Sequence, residues 1–203
     1  MTIIVCCVRA GYVSHIVGKW HLGFCNNKFW PQNRGFDSYY GFLNGGQGYF
    51  DHVRNGGYDF RDGFEVAWEA NGTYSTTLIQ KRVEEIIETH DPSTPMFLYV
   101  PFQSVHGPLE VPEVYEDMYE HVDNEDRRKF LGMVTAMDDA VGNITQSLKT
   151  HGLYDNSVIL WFSDNGGPSA GWPPGLCQST IFENDEHILL QATPQPMEQT
   201  TGL

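Results

Sequence analysis

Met96-Phe97-Leu98-Tyr99-Val100, a periodic stretch over residues 124–151, and Ser157-Val158-Ile159-Leu160-Trp161-Phe162 follow one another, and their order decides the fold. The first and third are uninterrupted apolar runs with the length and composition of strands buried on both faces. Between them Phe130, Val134, Met137, Val141, Ile144 and Leu148 repeat at alternating steps of four and three, the stripe of an amphipathic helix. Asn124 is the expected N-cap, Glu125 and Asp126 suit the positive end of the helix dipole, and Gly152 is placed to end the helix. Strand, helix and strand in this order imply a right-handed crossover. The fold class is therefore α/β, a mostly parallel sheet flanked by helices.

Upstream of this unit, Leu78, Ile79, Val83, Ile86 and Ile87 recur at helical spacing over residues 76–90, with Lys81, Arg82, Glu84, Glu85 and Glu88 on the other face. Pro92 and Pro95 end that helix. Residues 12–17 (YVSHIV), bounded by Gly11 and Gly18, read as another short strand. Residues 24–72 are rich in Gly, Asn and aromatic rings without a sustained period, so loops and a short hairpin are expected there. After Lys149 the chain has no Lys or Arg, and from Pro168 it turns rich in Pro, Gln, Thr and Ser. Residues 175–203 are expected to be poorly ordered, apart from a short turn around His187-Ile188-Leu189-Leu190.

The 203 residues carry 12 Lys+Arg against 26 Asp+Glu, a net charge of −14 that argues against non-specific nucleic-acid binding and against anionic membrane surfaces. Hydrophobic residues make up 40% and charged ones 19%, so a core is available; a chain this long can bury roughly 70% of its unfolded surface. Cys6, Cys7, Cys25 and Cys177 contain no C-x-x-C pair, which leaves a structural zinc site without support, while a disulfide from Cys25 to a distant partner stays open. The apolar opening, Met1 to Val8, lacks a basic start and is too short to span a membrane, so no export signal is readable. The sequons Asn71-Gly72-Thr73 and Asn143-Ile144-Thr145 nevertheless point towards a secretory route. Asn143 lies about 200° around the helix from Val141, on the solvent face.

In open α/β sheets, ligands sit beyond the carboxyl ends of the strands. Three polar clusters lie at such ends: Lys19 and His21 after the first strand, His106 after the second, Asp164 and Asn165 after the third. Asp164-Asn165 offers two oxygen ligands side by side to a hard cation such as calcium or magnesium; on spacing alone Asp-Asn-Gly-Gly reads first as a tight turn. A lysine, two histidines and a cation at one sheet edge form a positive pocket in an acidic protein. Such a pocket suits the binding and splitting of an ester anion, with lysine and cation neutralising the non-bridging oxygens and a histidine protonating the leaving alcohol. Taken singly, His21 and His106 read as ordinary loop or core histidines.

Gly11-Tyr12 and Gly18-Lys19-Trp20-His21-Leu22-Gly23 are followed in order by Arg34-Gly35-Phe36-Asp37, Gln103-Ser104-Val105-His106-x-Pro108-Leu109, Gly132-Met133-Val134-x-x-Met137-Asp138-x-Ala140-Val141-Gly142-Asn143 and Asp164-Asn165-Gly166-Gly167. As an ordered set these blocks resemble the sulfatase family, and within it the arylsulfatase B-like members. The likeness covers about residues 9–167. It implies an alkaline phosphatase/sulfatase-like fold, incomplete at both ends here, with a non-family leader over 1–8, a partial catalytic domain over 9–167 and a divergent tail over 168–203. It also implies a sulfuric ester hydrolase acting on sulfate esters of N-acetylgalactosamine in glycosaminoglycans, or on small aryl sulfates, in lysosomes or outside the cell. Carried over, Asp164 and Asn165 would hold one calcium ion, Lys19 and His21 would contact the sulfate and the nucleophile, and His106 would contact the sulfate or protonate the leaving oxygen.

The departures from the family pattern are specific. No cysteine is followed by x-Pro-Ser-Arg, the motif whose cysteine becomes the family's formylglycine nucleophile. No acidic residue precedes Asp37, where the family places two calcium-binding aspartates, and Asp138-Asp139 lies inside the long helix. A further family lysine after the Asp-Asn-Gly-Gly block is absent. The expectation is a chain without turnover, because loss of a covalent nucleophile removes many powers of ten in rate. Two readings compete with this one: a non-catalytic binder of sulfated glycans built on Lys19, His21 and His106, and a related phosphoester hydrolase.

Overall fold

The computed structural model describes residues 7–164 and the strand backbone of residues 186–192. At its centre β1 (Val13–Lys19) lies between β2 (Ser38–Phe42) and β7 (Met96–Pro101), parallel to both, with His15 opposite Ser38 on one side and Leu98 on the other. Beyond β2, the antiparallel β5 (Arg61–Asp62) and β6 (Glu65–Val66) widen the sheet. Beyond β7, β9 (Glu186–Ala192) runs antiparallel and carries β8 (Ser157–Ser163) at the far edge. The class is α/β as expected, with a mixed sheet. β7 and β8 point the same way, but β9 separates them.

Side chains of the central strands alternate between two cores. Val17, Tyr40 and Leu98 join the cluster that holds Ile79, Val83 and Ile87 of α1 (Ser75–Thr89) and Met137, Ala140, Ile144 and Leu148 of α3 (Glu125–Thr150). Their sequence neighbours Ile16, Tyr39 and Phe97 pack on the opposite face with Trp20, Phe36 and Leu43. Burial on both faces explains the unbroken apolar runs, each large side chain contributing about 1.5–3 kcal/mol. Close backbone approach fixes the glycines of this centre. A Cβ on Gly18 (φ +135°) would stand 2.0 Å from the Pro101 carbonyl oxygen, and one on Gly41 (φ +150°) would stand 2.0 Å from that of Gly18.

α3 starts and stops where the sequence reading puts it. The Asn124 side chain accepts from the Arg127 amide at 2.8 Å, and Gly152, at φ +71°, follows its last turn. Its buried row differs in one position. Met133 and Ala136 face inward and Val134 turns out, because Gly132, where an added Cβ would stand 3.1–3.2 Å from the Tyr115 and Glu116 backbone, lets α2 (Glu113–Glu116) come close on that side. Among the described residues no helix is long and apolar enough to cross a membrane.

Three expectations need correction. β2 was hidden in the stretch read as loops; Ser38-Tyr39-Tyr40-Gly41-Phe42 has no β-branched residue, yet it is a central strand. The turn expected at residues 187–190 is part of β9, a strand whose backbone satisfies the facing edges of β7 and β8. β8 is not buried on both faces: Val158, Leu160, Trp161 and Phe162 are each more than 40% exposed, because the strand sits at the sheet edge with a single neighbour. Residues 1–6, 165–185 and 193–203, including most of the predicted leader and tail, lie outside the described residues.

Candidate functional site

The carboxyl ends of β1, β7 and β8 meet at one edge of the sheet. Lys19, the last residue of β1, is only 6% exposed, and its Nζ lies 3.9 Å from Oδ2 of Asp164, which directly follows β8. The ladder between β1 and β2 continues past Lys19, with the Trp20 amide on Phe42 O at 2.9 Å and the His21 amide on Leu43 O at 3.2 Å. Trp20 anchors the segment. Its indole N–H donates to the carbonyls of Gly23 and Phe29, and its ring meets Phe36 edge-on at 6.4 Å. His21 then takes a left-handed backbone conformation, φ +50°, uncommon for a residue with a side chain.

The loop after β2 is shaped by a buried carboxylate. Asp59 accepts from the Leu43 amide at 3.2 Å, the Asn44 amide at 2.8 Å and the Asn44 side chain at 2.6 Å. This places two consecutive glycines beneath the two histidines. A Cβ on Gly45 would lie 2.6 Å from the His21 ring, and one on Gly46 would lie 3.2 Å from Nδ1 of His106. His21 and His106, far apart in sequence, therefore stand side by side on a glycine floor.

His106 is held from beneath. Gln103 donates to the Gln47 carbonyl at 2.6 Å, Ser104 and Thr76 share a hydroxyl hydrogen bond of 2.8 Å, and Tyr49 donates its hydroxyl to the His106 carbonyl at 2.7 Å. The ring Nδ1 lies 2.8 Å from the Gly107 carbonyl, which only a protonated Nδ1 can satisfy. Nε2 is thereby the ring atom left for chemistry. Burial, with the nearby charges of Lys19 and His106, holds the His21 pKa below its ordinary value, against an opposite pull from Asp164. The neutral form of His21 is thus favoured beside a lysine.

Of the two residues expected to hold calcium, Asp164 alone lies among the described residues. Asp164 faces Lys19, Asn165 lies outside the described residues, and among the described residues no three His, Cys, Asp or Glu side chains gather as metal ligands. Calcium takes about six to eight oxygens. Among the described residues Cys25 is an exposed free thiol, and both sequon asparagines, Asn71 and Asn143, are exposed. The glycine floor and Asp59 were not singled out in the sequence. Their signal was Asn44-Gly45-Gly46-Gln47-Gly48, a glycine cluster that gains meaning only once β2 is known to end just before it.

The family model described as Sulfatase matches residues 1–198, a span wider than the motif-bearing residues. Arylsulfatase J of Mus musculus is 43% identical over 185 residues, covering 86% of this chain and 31% of the relative. N-acetylgalactosamine-6-sulfatase of Homo sapiens is 28% identical over 198 residues, covering 86% and 36%. The chain spans about a third of the length of these curated relatives. The crystal structure of Ps i-CgsB in complex with k-i-k-neocarrahexaose superposes with a TM-score of 0.71 at 25% identity, over 93% of this chain and 46% of that one.

Proposed function

This chain belongs to the sulfatase family, and from that premise we propose that its sheet edge is the sulfate-binding part of a sulfuric ester hydrolase. The substrate class we propose is a sulfated N-acetylgalactosamine within a glycosaminoglycan. One observation supports this reading above the others: a buried lysine and two adjacent histidines converge at the carboxyl ends of the central strands in a chain of net charge −14. Recognition of an anion by so acidic a protein has to be local. Lys19 neutralises charge on the non-bridging oxygens. Neutral His21 hydrogen-bonds the same group without adding a second full charge, and His106, its Nδ1–H committed to the Gly107 carbonyl, presents Nε2 to the ester oxygen and serves as proton donor in its doubly protonated form.

The sequence holds no Cys-x-Pro-Ser-Arg motif, so the 203 residues bind a sulfate ester without turning it over. Two measurements test this. The purified chain should hydrolyse a chromogenic aryl sulfate no faster than Lys19→Ala; faster hydrolysis refutes the inactive reading. Lys19→Ala should weaken binding of a sulfated disaccharide at least about tenfold in calorimetry, since a charge-assisted hydrogen bond is lost. Unchanged affinity would remove the site. The exposed sequons add a secretory route, lysosomal or extracellular, with glycans on Asn71 and Asn143. Expression in a secretory host followed by endoglycosidase treatment should show a mass shift that vanishes in the Asn71→Gln, Asn143→Gln double variant.

A further inference from the structure

A groove of about 650 Å³ adjoins His106, lined also by Pro108, Glu110, Gln47, Asp51 and Arg54. It lies within the range of about 300–1,000 Å³ typical of ligand pockets, and is far more room than a single sulfate needs. Arg54 ends β3 (Val53–Arg54), which is joined to β4 (Gly57–Tyr58) by Asn55 at φ +51° and Gly56 at φ +79°. Two successive positive φ values with Asn-Gly make a tight type I′ hairpin turn. The hairpin has a fixed base. His52 is fully buried, meets the Phe60 ring at a tilt of 47° with centroids 4.5 Å apart and hydrogen-bonds the Ala70 carbonyl at 3.0 Å.

Charges within the groove are not equivalent. Asp51 already accepts from the Val53 amide at 2.9 Å and Glu110 from the Tyr49 amide at 2.6 Å. Arg54 is exposed, and among the described residues no carboxylate pairs with it. Its charge reaches the catalytic edge, where it adds to those that disfavour protonation of His21. An exposed arginine with no carboxylate partner among the described residues, set at the base of a tight hairpin turn and lining the same groove as His106, is placed to receive a partner from a ligand.

We propose that Arg54 is a specificity-determining residue: it binds a second anionic group, one sugar along, on a polyanionic saccharide whose first sulfate lies at Lys19, His21 and His106. The inference rests on the sulfate-site reading above and adds the requirement for a second charge. A planar guanidinium pairs bidentately with a carboxylate or a sulfate, so a uronate or a neighbouring sulfate ester would satisfy it.

Calorimetric titration of the full chain and of Arg54→Gln, Arg54→Lys and Lys19→Ala tests the proposal. The probes are a monosulfated N-acetylgalactosamine, the same sugar linked to glucuronate, the methyl ester of that disaccharide, and a disulfated disaccharide. Wild type should bind the charged disaccharides about tenfold more tightly than the monosaccharide. In Arg54→Gln this ratio should collapse towards one, and Arg54→Lys should restore part of it. Loss of the advantage on methyl esterification assigns the group to the carboxylate; its persistence only with the disulfated probe assigns it to sulfate. An unchanged ratio in Arg54→Gln, with Lys19-dependent binding intact, overturns the Arg54 role and leaves the sulfate site standing. Failure of wild type to bind any probe overturns both. Thermal melts coincident with wild type show that Arg54→Gln is folded.

Discussion

β7 and β8 carry similar apolar runs, yet Leu98 is 1% exposed and Leu160 is 49% exposed. The difference lies in their neighbours. β7 has β1 on one side and β9 on the other, with α1 and α3 packed in the cluster around Leu98, whereas β8 pairs with β9 alone. An apolar run states what a strand would gain from burial; sheet order decides whether it is buried.

The sharpest way to break this contrast is at the strand centre. Gly18→Ala puts a methyl group 2.0 Å from the Pro101 carbonyl at an unfavourable φ, and a cooperative thermal transition is expected to disappear. Leu98→Ala comes next, at about 2–5 kcal/mol in urea melts, against about 0.5 kcal/mol or less for Leu160→Ala. Equal costs would mean that β8 is covered in solution. Loss of the Asn124 cap by Asn124→Ala should cost about 1 kcal/mol, a change confined to the well-packed side of the sheet. Leu160→Lys should leave stability nearly unchanged and lower light scattering, because exposed apolar edge strands promote association; unaltered scattering would show that this edge is not where copies meet.

The smallest expected effect is on pH dependence. Burial first, then the neighbouring His90, lowers the His15 pKa, and burial lowers that of His52. The folded state therefore binds fewer protons than the unfolded state. The stabilisation is complete above the ordinary histidine value of about 6.5 and is lost as pH falls from there towards the folded values. Melting temperature should decline below pH 6.5, and His15→Gln should flatten the slope. A slope that Gln at position 15 leaves unchanged would assign the effect elsewhere.

Both long helices, β1 and β7 were legible because a helical stripe or an apolar run between turn residues marks them directly. β2 was not, since its pattern of tyrosines around a glycine makes sense only where β1 lies alongside. Of the candidate site, Lys19, His21, His106 and Asp164 could be singled out because each ends or follows a strand. Gly45, Gly46, Asp59 and Arg54 could not, because their parts arise from three-dimensional neighbours, a histidine ring or a loop amide, that no spacing in the chain announces.

β8 reaches the rest of the sheet through β9, so the ladders β7 to β9 and β9 to β8 act as two couplings in series. Lys19, His21 and His106 hang from the inner strands, whereas Asp164 hangs from the outermost. Any slack in residues 186–192 would be felt first as a longer Lys19 to Asp164 separation, before either histidine moved. The candidate site is thus in two parts with separate suspension, and the alignment of its acidic member is governed by a segment more than twenty residues further along the chain.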